Sequence, residues 1–183
     1  MSQMYRVKIK ESVTLSVTST DRVVQDIGMR AILPAPEMSQ LLAKGFENQG
    51  FVLQADGCYQ RRLETGELQT FDPVQNQLVT ELIQEVLQET ELVSELTRDL
   101  DTHSKTEIEH LARAKLPQQH EQKTQALQQQ ADSQLMQTLL QGDTARRETI
   151  HRALQHAYSE ALKQRARSLG QVVSEQEHRH GSD

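Results

Sequence analysis

The fold turns on the stretch DPVQNQLVTELIQEVLQETELVSELTRDL, residues 72–100. Leu78, Leu82 and Val86, and further on Leu96 and Leu100, step by four, the spacing of one face of an amphipathic helix. The same stretch, however, begins with the turn-rich Asp72-Pro73-Val74-Gln75-Asn76-Gln77, and Leu78-Val79-Thr80 lies just beyond it. Read as a hairpin, that turn pairs residues 68–71 with 78–82 and completes an antiparallel meander. The hairpin reading is adopted, with strand through about residue 86, and 74–100 stays open between strand and helix.

Upstream the signals are clearer. Tyr5, Val7 and Ile9 alternate with Arg6, Lys8 and Lys10, and Val13, Leu15 and Val17 alternate with Thr14, Ser16 and Thr18. A period of two in β-branched residues predicts two strands with one buried face, and residues 23–27 a weaker third. Pro34-Ala35-Pro36 stops extended structure and opens a helix, because proline's fixed φ suits a first turn that does not need its N–H. Met38, Leu41, Leu42 and Phe46 follow at helical spacing, and Gly45, Asn48 and Gly50 weaken and end the helix. A strand resumes at Phe51-Val52-Leu53, with turns at Asp56-Gly57, Thr65-Gly66 and Asp72-Pro73.

Downstream, from about residue 104, the chain is built of Gln, Ala, Leu, Glu, Lys and Arg, strong helix formers, with a break at Pro117. Leu127, Ala131, Leu135 and Leu139 form one narrow stripe; Ile150, Leu154, Ala157, Ala161 and Leu162 form a second. Gly142 punctuates, so helices over 118–141 and 144–169 would each run about 36–39 Å. Matched lengths favour an antiparallel hairpin; a single kinked rod paired with another protein is the alternative, since a narrow apolar stripe seeks a partner helix. Gly170 ends the second helix, Gln171-Val172-Val173 is a candidate short strand, and the polar tail is read as disordered. The expected architecture is α+β: a small antiparallel β-meander with one covering helix (1–100), a helical hairpin or coiled-coil arm (104–170), and the tail 171–183.

Composition bounds what such a chain can do. It has 183 residues, with 3% aromatic residues, one Cys and no Trp. Of the six aromatics, five precede residue 72, which places the conventional core in the first part. The net charge of −6 also lies wholly before residue 101, and the acidic 72–101 repels a nucleic-acid backbone. One cysteine and no secretory signal point to a reducing cytoplasm, and no apolar run approaches a membrane span.

The search for chemistry finds no phosphate-cradling glycine loop and no nucleophile elbow. His120-Glu121 starts like a zinc-protease helix, but Thr124 stands where the second ligand must sit. His103, Glu107 and His110 could share a helix face and hold a metal, the basis of a metal-enzyme reading ranked below the two protein-binding ones. His151 and His156 point apart; His178 and His180 lie in the tail; Cys58 reads as an ordinary strand residue. Arg146, Arg147, Arg152, Lys163, Arg165 and Arg167 make the last helix basic, yet no aromatics accompany them to stack bases. Neither a cofactor nor a metal is expected, nor a nucleic-acid partner, nor direct membrane insertion.

Four segments, MYRVKIKES (4–12), ILPAPEMSQLLAKGFENQGF (32–51), DPVQNQLV (72–79) and SEALKQRARSLGQV (159–172), together resemble the X-five domain family of bacterial FtsH ternary systems, in order and over most of the chain. The resemblance implies an accessory protein acting with an FtsH-like AAA+ protease, a MoxR-like AAA+ ATPase and a von Willebrand factor A (vWA) protein, in bacterial conflict or stress response. Those partners would carry the ATP chemistry, and the family offers no catalytic motif to transfer here. The Gln-rich arm and the polar tail after Val173 depart from the apolar terminal strand expected of the family. The resulting expectation is a non-enzymatic adaptor or scaffold whose arm meets its partner through Leu135, Leu139, Leu154, Tyr158 and Leu162. The alternative is a self-associating stalk or coiled coil.

Overall fold

A computed structural model describes residues 4–100 and 102–170. Among these residues, five strands and four helices follow in the order β1 (Met4–Asp26), α1 (Ala35–Glu47), β2 (Val52–Leu53), β3 (Tyr59–Arg62), β4 (Leu68–Asp72), β5 (Gln77–Asp99), α2 (Lys105–Arg113), α3 (Leu116–Gln141) and α4 (Asp143–Leu169). The fold is α+β, and the sheet order is β1-β5-β4-β3-β2. The expected meander is present: β2 to β5 pair antiparallel in sequence, with Phe71 opposite Leu78 and Leu68 opposite Glu81.

Two expectations change. The strand expected to stop near residue 86 runs on to Asp99, 23 residues in all. Its four-residue spacing fits a strand as well as a helix, because four is a multiple of two; the intervening positions decide. Thr80 and Ser94, polar but buried, fill them, so that Leu78, Thr80 and Leu82, and again Leu92, Ser94 and Leu96, face inward. Likewise the strands expected over 4–18 and 23–27 are a single β1. Odd-numbered residues from Tyr5 to Gln25 are buried or half-buried except Glu11 and Asp21, and neither Gly nor Pro interrupts the strand. Ion pairs Arg6–Glu95 and Lys10–Glu91 step in opposite directions along the two strands, so β1 and β5 run antiparallel.

The helical region follows the expected helix formers. Lys105 to Leu169 is helical apart from residues 114–115 and Gly142. Gly142, between α3 and α4, has right-handed helical backbone (φ −73°, ψ −7°). The break lies at 114–115, with Pro117 in the first turn of α3, the position where proline is tolerated. The candidate strand at residues 171–173, the tail and its His178 and His180 lie outside the described residues.

Contacts group the chain into two units. One combines the residues up to Asp21 with Leu82–Leu140. Here the β1–β5 ribbon packs on α2 and α3 through two clusters. Val7 and Leu96 meet Ile108 and Ala112, while Leu15 and Val17 meet Leu127 and Ala131. Ser104 caps α2 in a reciprocal box with Glu107, satisfying two donors that the helix start leaves orphaned. The second unit combines Arg22–Glu81 with the residues from Gln141 on. Phe46 of α1 stacks on Phe71 of β4 at 4.3 Å and meets Phe51 edge-on at 5.0 Å, in a core that also holds Leu42, Leu78, Ala153, Ala157 and Ala161. Gly45 does more than weaken α1: a Cβ there would lie 2.6 Å from the Ala153 carbonyl oxygen, so glycine allows α1 and α4 to approach closely.

Candidate functional site

The second stripe of the helical region is laid out on α4 as two neighbouring rows. Ala153, Ala157 and Ala161 are buried against α1, and their small side chains suit the close approach at Gly45. Leu154, Tyr158 and Leu162, one residue on, form the flank of that contact. Leu154 and Tyr158 are half-buried at the margin of the aromatic core, and Leu162 is 57% exposed. The Tyr158 hydroxyl accepts a hydrogen bond from the Arg30 backbone N–H at 2.9 Å, and Arg165 donates to the Ile32 carbonyl at 2.8 Å. The loop before α1 is thereby tied to the C-terminal half of α4. Leu169, seven residues beyond Leu162 and on the same side of an α-helix, is exposed as well.

Of the five residues expected to meet a partner, Leu154, Tyr158 and Leu162 therefore share one face of α4. Leu135 and Leu139 of α3 are buried within the chain's other unit. Exposed apolar side chains on α3 are instead Met136 and Leu140, each one position on.

The titratable candidates are placed as follows. His103, Glu107 and His110 border a shared recess with Leu111, but the Glu107 carboxylate accepts from the Ser104 N–H at 2.8 Å and from its hydroxyl at 3.0 Å. These bonds hold the Glu107 carboxyl below its ordinary range. Among the described residues no group of three or more His, Cys, Asp or Glu side chains is placed to hold a metal ion. The Cys58 thiol is pushed up, first by burial and then by Asp56 and Asp72, which disfavours the reactive thiolate. The basic residues of α4 are largely engaged within the chain: Arg147 pairs with Asp143, Arg152 with Glu148 and Lys163 with Glu160.

Sequence reasoning missed the polar heart of this unit. Arg146 is 2% exposed and lies 3.8 Å from the buried Glu67 carboxylate, with Asp143 at 3.9 Å. Beside it, Arg61 donates to Gln69 at 2.7 Å and to the Gln49 carbonyl at 2.9 Å, and lies over the Phe51 ring. Burial lowers the Arg61 pKa from its ordinary value. One signal was available: Arg146 and Thr149 precede Ala153, Ala157 and Ala161 at steps of three and four, so the arginine occupies the row of the buried alanines.

These elements define an α+β protein of antiparallel sheet and extended helices, whose candidate surface consists of exposed apolar side chains on a helix tied to its neighbouring loop. The family model of FtsH ternary system domain X5 matches residues 1–182, and the chain belongs to that family. Neither a curated protein nor a solved structure matches it.

Proposed function

We propose that this protein is a non-enzymatic adaptor or scaffold subunit of a bacterial FtsH ternary system, binding an AAA+ ATPase or a vWA protein in conflict or stress response. Membership in the FtsH ternary system family carries the reading, since that name places the chain in a multi-protein system. The exposed row Leu162 and Leu169 on α4, flanked by Tyr158, is the proposed contact surface; large apolar residues on an otherwise polar helix favour docking against another protein. No helix among the described residues is long and apolar enough to cross a membrane.

The test is retention from native host lysate on immobilised full chain, with and without ATP, read by mass spectrometry. An AAA+ ATPase or vWA protein retained by the wild type and lost from Leu162→Asp is the expected result. Leu154→Asp serves as a comparison that also perturbs the core margin. Recovery of the chain alone, with concentration-dependent association in solution, would replace the adaptor with a self-associating structural protein.

A further inference from the structure

In the unit that holds α2 and α3, the sheet is a ribbon of two strands. β4 pairs with β5 only as far as Glu81, and β1 stands last in the strand order, so among the described residues no strand lies beyond its second edge. Unpaired edges of this length are normally blunted by Lys, Pro or bulges. Residues 12–20, SVTLSVTST, carry no charge, no Pro and no Gly, and their inward parity is unbroken. Side chains of α3 cover the edges only locally. Gln119 and Lys123 donate to the Val93 and Glu91 carbonyls of β5, whereas nine residues beyond Gln119, Gln128 donates to the Thr18 carbonyl of β1.

Helix α3 thus passes from the β5 side of the ribbon to the β1 side and leaves the inner face uncovered next to β1 residues 9–13. A cavity of about 660 Å³ opens there. Ile9, Val13 and Leu116 give it apolar walls, and Arg113 and His120 stand at it from the two helices. Glu11 occupies an inward position where the pattern calls for an apolar residue, and it is exposed, so the core is interrupted at this point. Arg113 forms no ion pair among the described residues.

From this combination we infer that the open edge of β1 around residues 12–16 receives an extended peptide segment of a protein partner as an added strand. One of its inward side chains is apolar and fills the cavity beside Val13, and a carboxylate of the segment meets Arg113. Main-chain hydrogen bonds supply the binding and the cavity the selectivity, as in strand addition generally. Because Thr18 directs its carbonyl outward and outward groups alternate along an antiparallel strand, Thr14 directs its N–H and C=O to the incoming segment. The inference rests on the adaptor reading only in taking the ligand to be a protein.

The probe is a phage-displayed library of ten-residue peptides selected on the immobilised full chain, followed by fluorescence anisotropy of the most enriched peptide. Enriched sequences should alternate apolar and polar residues and carry Asp or Glu. Binding should weaken at least tenfold in Thr14→Pro, which removes an outward N–H that an edge strand tolerates losing, and at least fivefold in Arg113→Glu. Ile83→Thr, on the opposite face of the ribbon, should leave binding within twofold of wild type. If Thr14→Pro does not fold by circular dichroism, Arg113→Glu combined with His120→Glu, both at exposed helix positions, decides the matter. No enrichment, or binding indifferent to these substitutions, overturns the proposal. So does a wild-type dimer that Thr14→Pro abolishes, since the edge would then belong to a second copy. Lysate capture separates the two readings: an ATPase retained equally by wild type and by the edge variants leaves the adaptor standing and removes the strand site.

Discussion

Gly45 and Arg146 show how single residues set the α1–α4 contact. By helix propensity alone, Gly45→Ala should stabilise α1 by about 1 kcal/mol. The added Cβ would sit 2.6 Å from the Ala153 carbonyl oxygen and 2.9 Å from its Cα, both backbone atoms that yield only if α4 moves. Overpacking of this kind costs roughly 1–3 kcal/mol, so the steric term wins. Gly45→Ala should lower the melting temperature, by about 2–4 °C per kcal/mol for a chain of this size, measurable by calorimetry. Arg146→Ala should be more severe. It leaves the Glu67 carboxylate buried without its partner, and breaking a buried pair from one side costs about 3–5 kcal/mol. Arg146→Met together with Glu67→Leu should recover most of the loss in urea denaturation, because a packed apolar pair carries no desolvation penalty. Recovery failing in the double variant would mean that the arginine's other contacts, with Asp143 among them, carry the stability.

For the elements, caps and edges matter more than propensity. Ser104→Ala removes the side-chain half of the box at the start of α2, leaving the residue-104 N–H to Glu107 bond in place, and should cost about 1 kcal/mol. Two carboxyls tie helices to pH. Donation from Ser104 holds Glu107 below its ordinary range, and donation from the Ser19 hydroxyl and from Gln128 does the same for Asp132 of α3. A carboxyl whose folded value is depressed stabilises the fold above the unfolded value of about 4 and loses that contribution as the pH falls through the folded value. Thermal melts should therefore show stability declining in acid below about pH 4. Glu107→Gln with Asp132→Asn should lower stability at pH 7 and flatten that acid slope; an unchanged slope would remove both groups as its source. Both side chains are solvent-exposed, so the slope should be shallow. The element scale is also where the sequence speaks most and least clearly. Turns at Asp56-Gly57, Thr65-Gly66 and Asp72-Pro73 announced the meander because their residue chemistry is local. The length of β5 was not legible from Leu78, Leu82 and Val86, since a four-residue step is shared by helix and strand, and Thr80 and Ser94 conceal the two-residue period behind polar side chains. In the same way Leu135 and Leu139 were visibly apolar, but whether a partner or the chain itself covers them depends on contacts that span tens of residues. Glu11, between the inward Ile9 and Val13 of β1, was a local sign of the cavity.

At the scale of the molecule, each unit joins segments far apart in sequence. Each of the two units draws strands from the first hundred residues and helical surface from the remainder. The ribbon owes Val7 and Leu96 their cover to Ile108 and Ala112, and Leu15 and Val17 theirs to Leu127 and Ala131. The aromatic core of Phe46, Phe51 and Phe71 is completed by Ala153, Ala157 and Ala161. A fragment of residues 1–100 keeps every strand and α1 but loses each of these covering residues, and a two-stranded ribbon without a packed face is at best marginal in water. Expressed alone, it should lack a cooperative thermal transition and should associate through the uncharged stretch at residues 12–20, read by circular dichroism and light scattering. Adding residues 101–170 as a separate chain should restore the transition if the helical region supplies the missing cover. A fragment 1–100 that melts cooperatively as a monomer would show instead that the sheet and α1 hold their own core, and the helical region would then be free to serve a partner along its whole length.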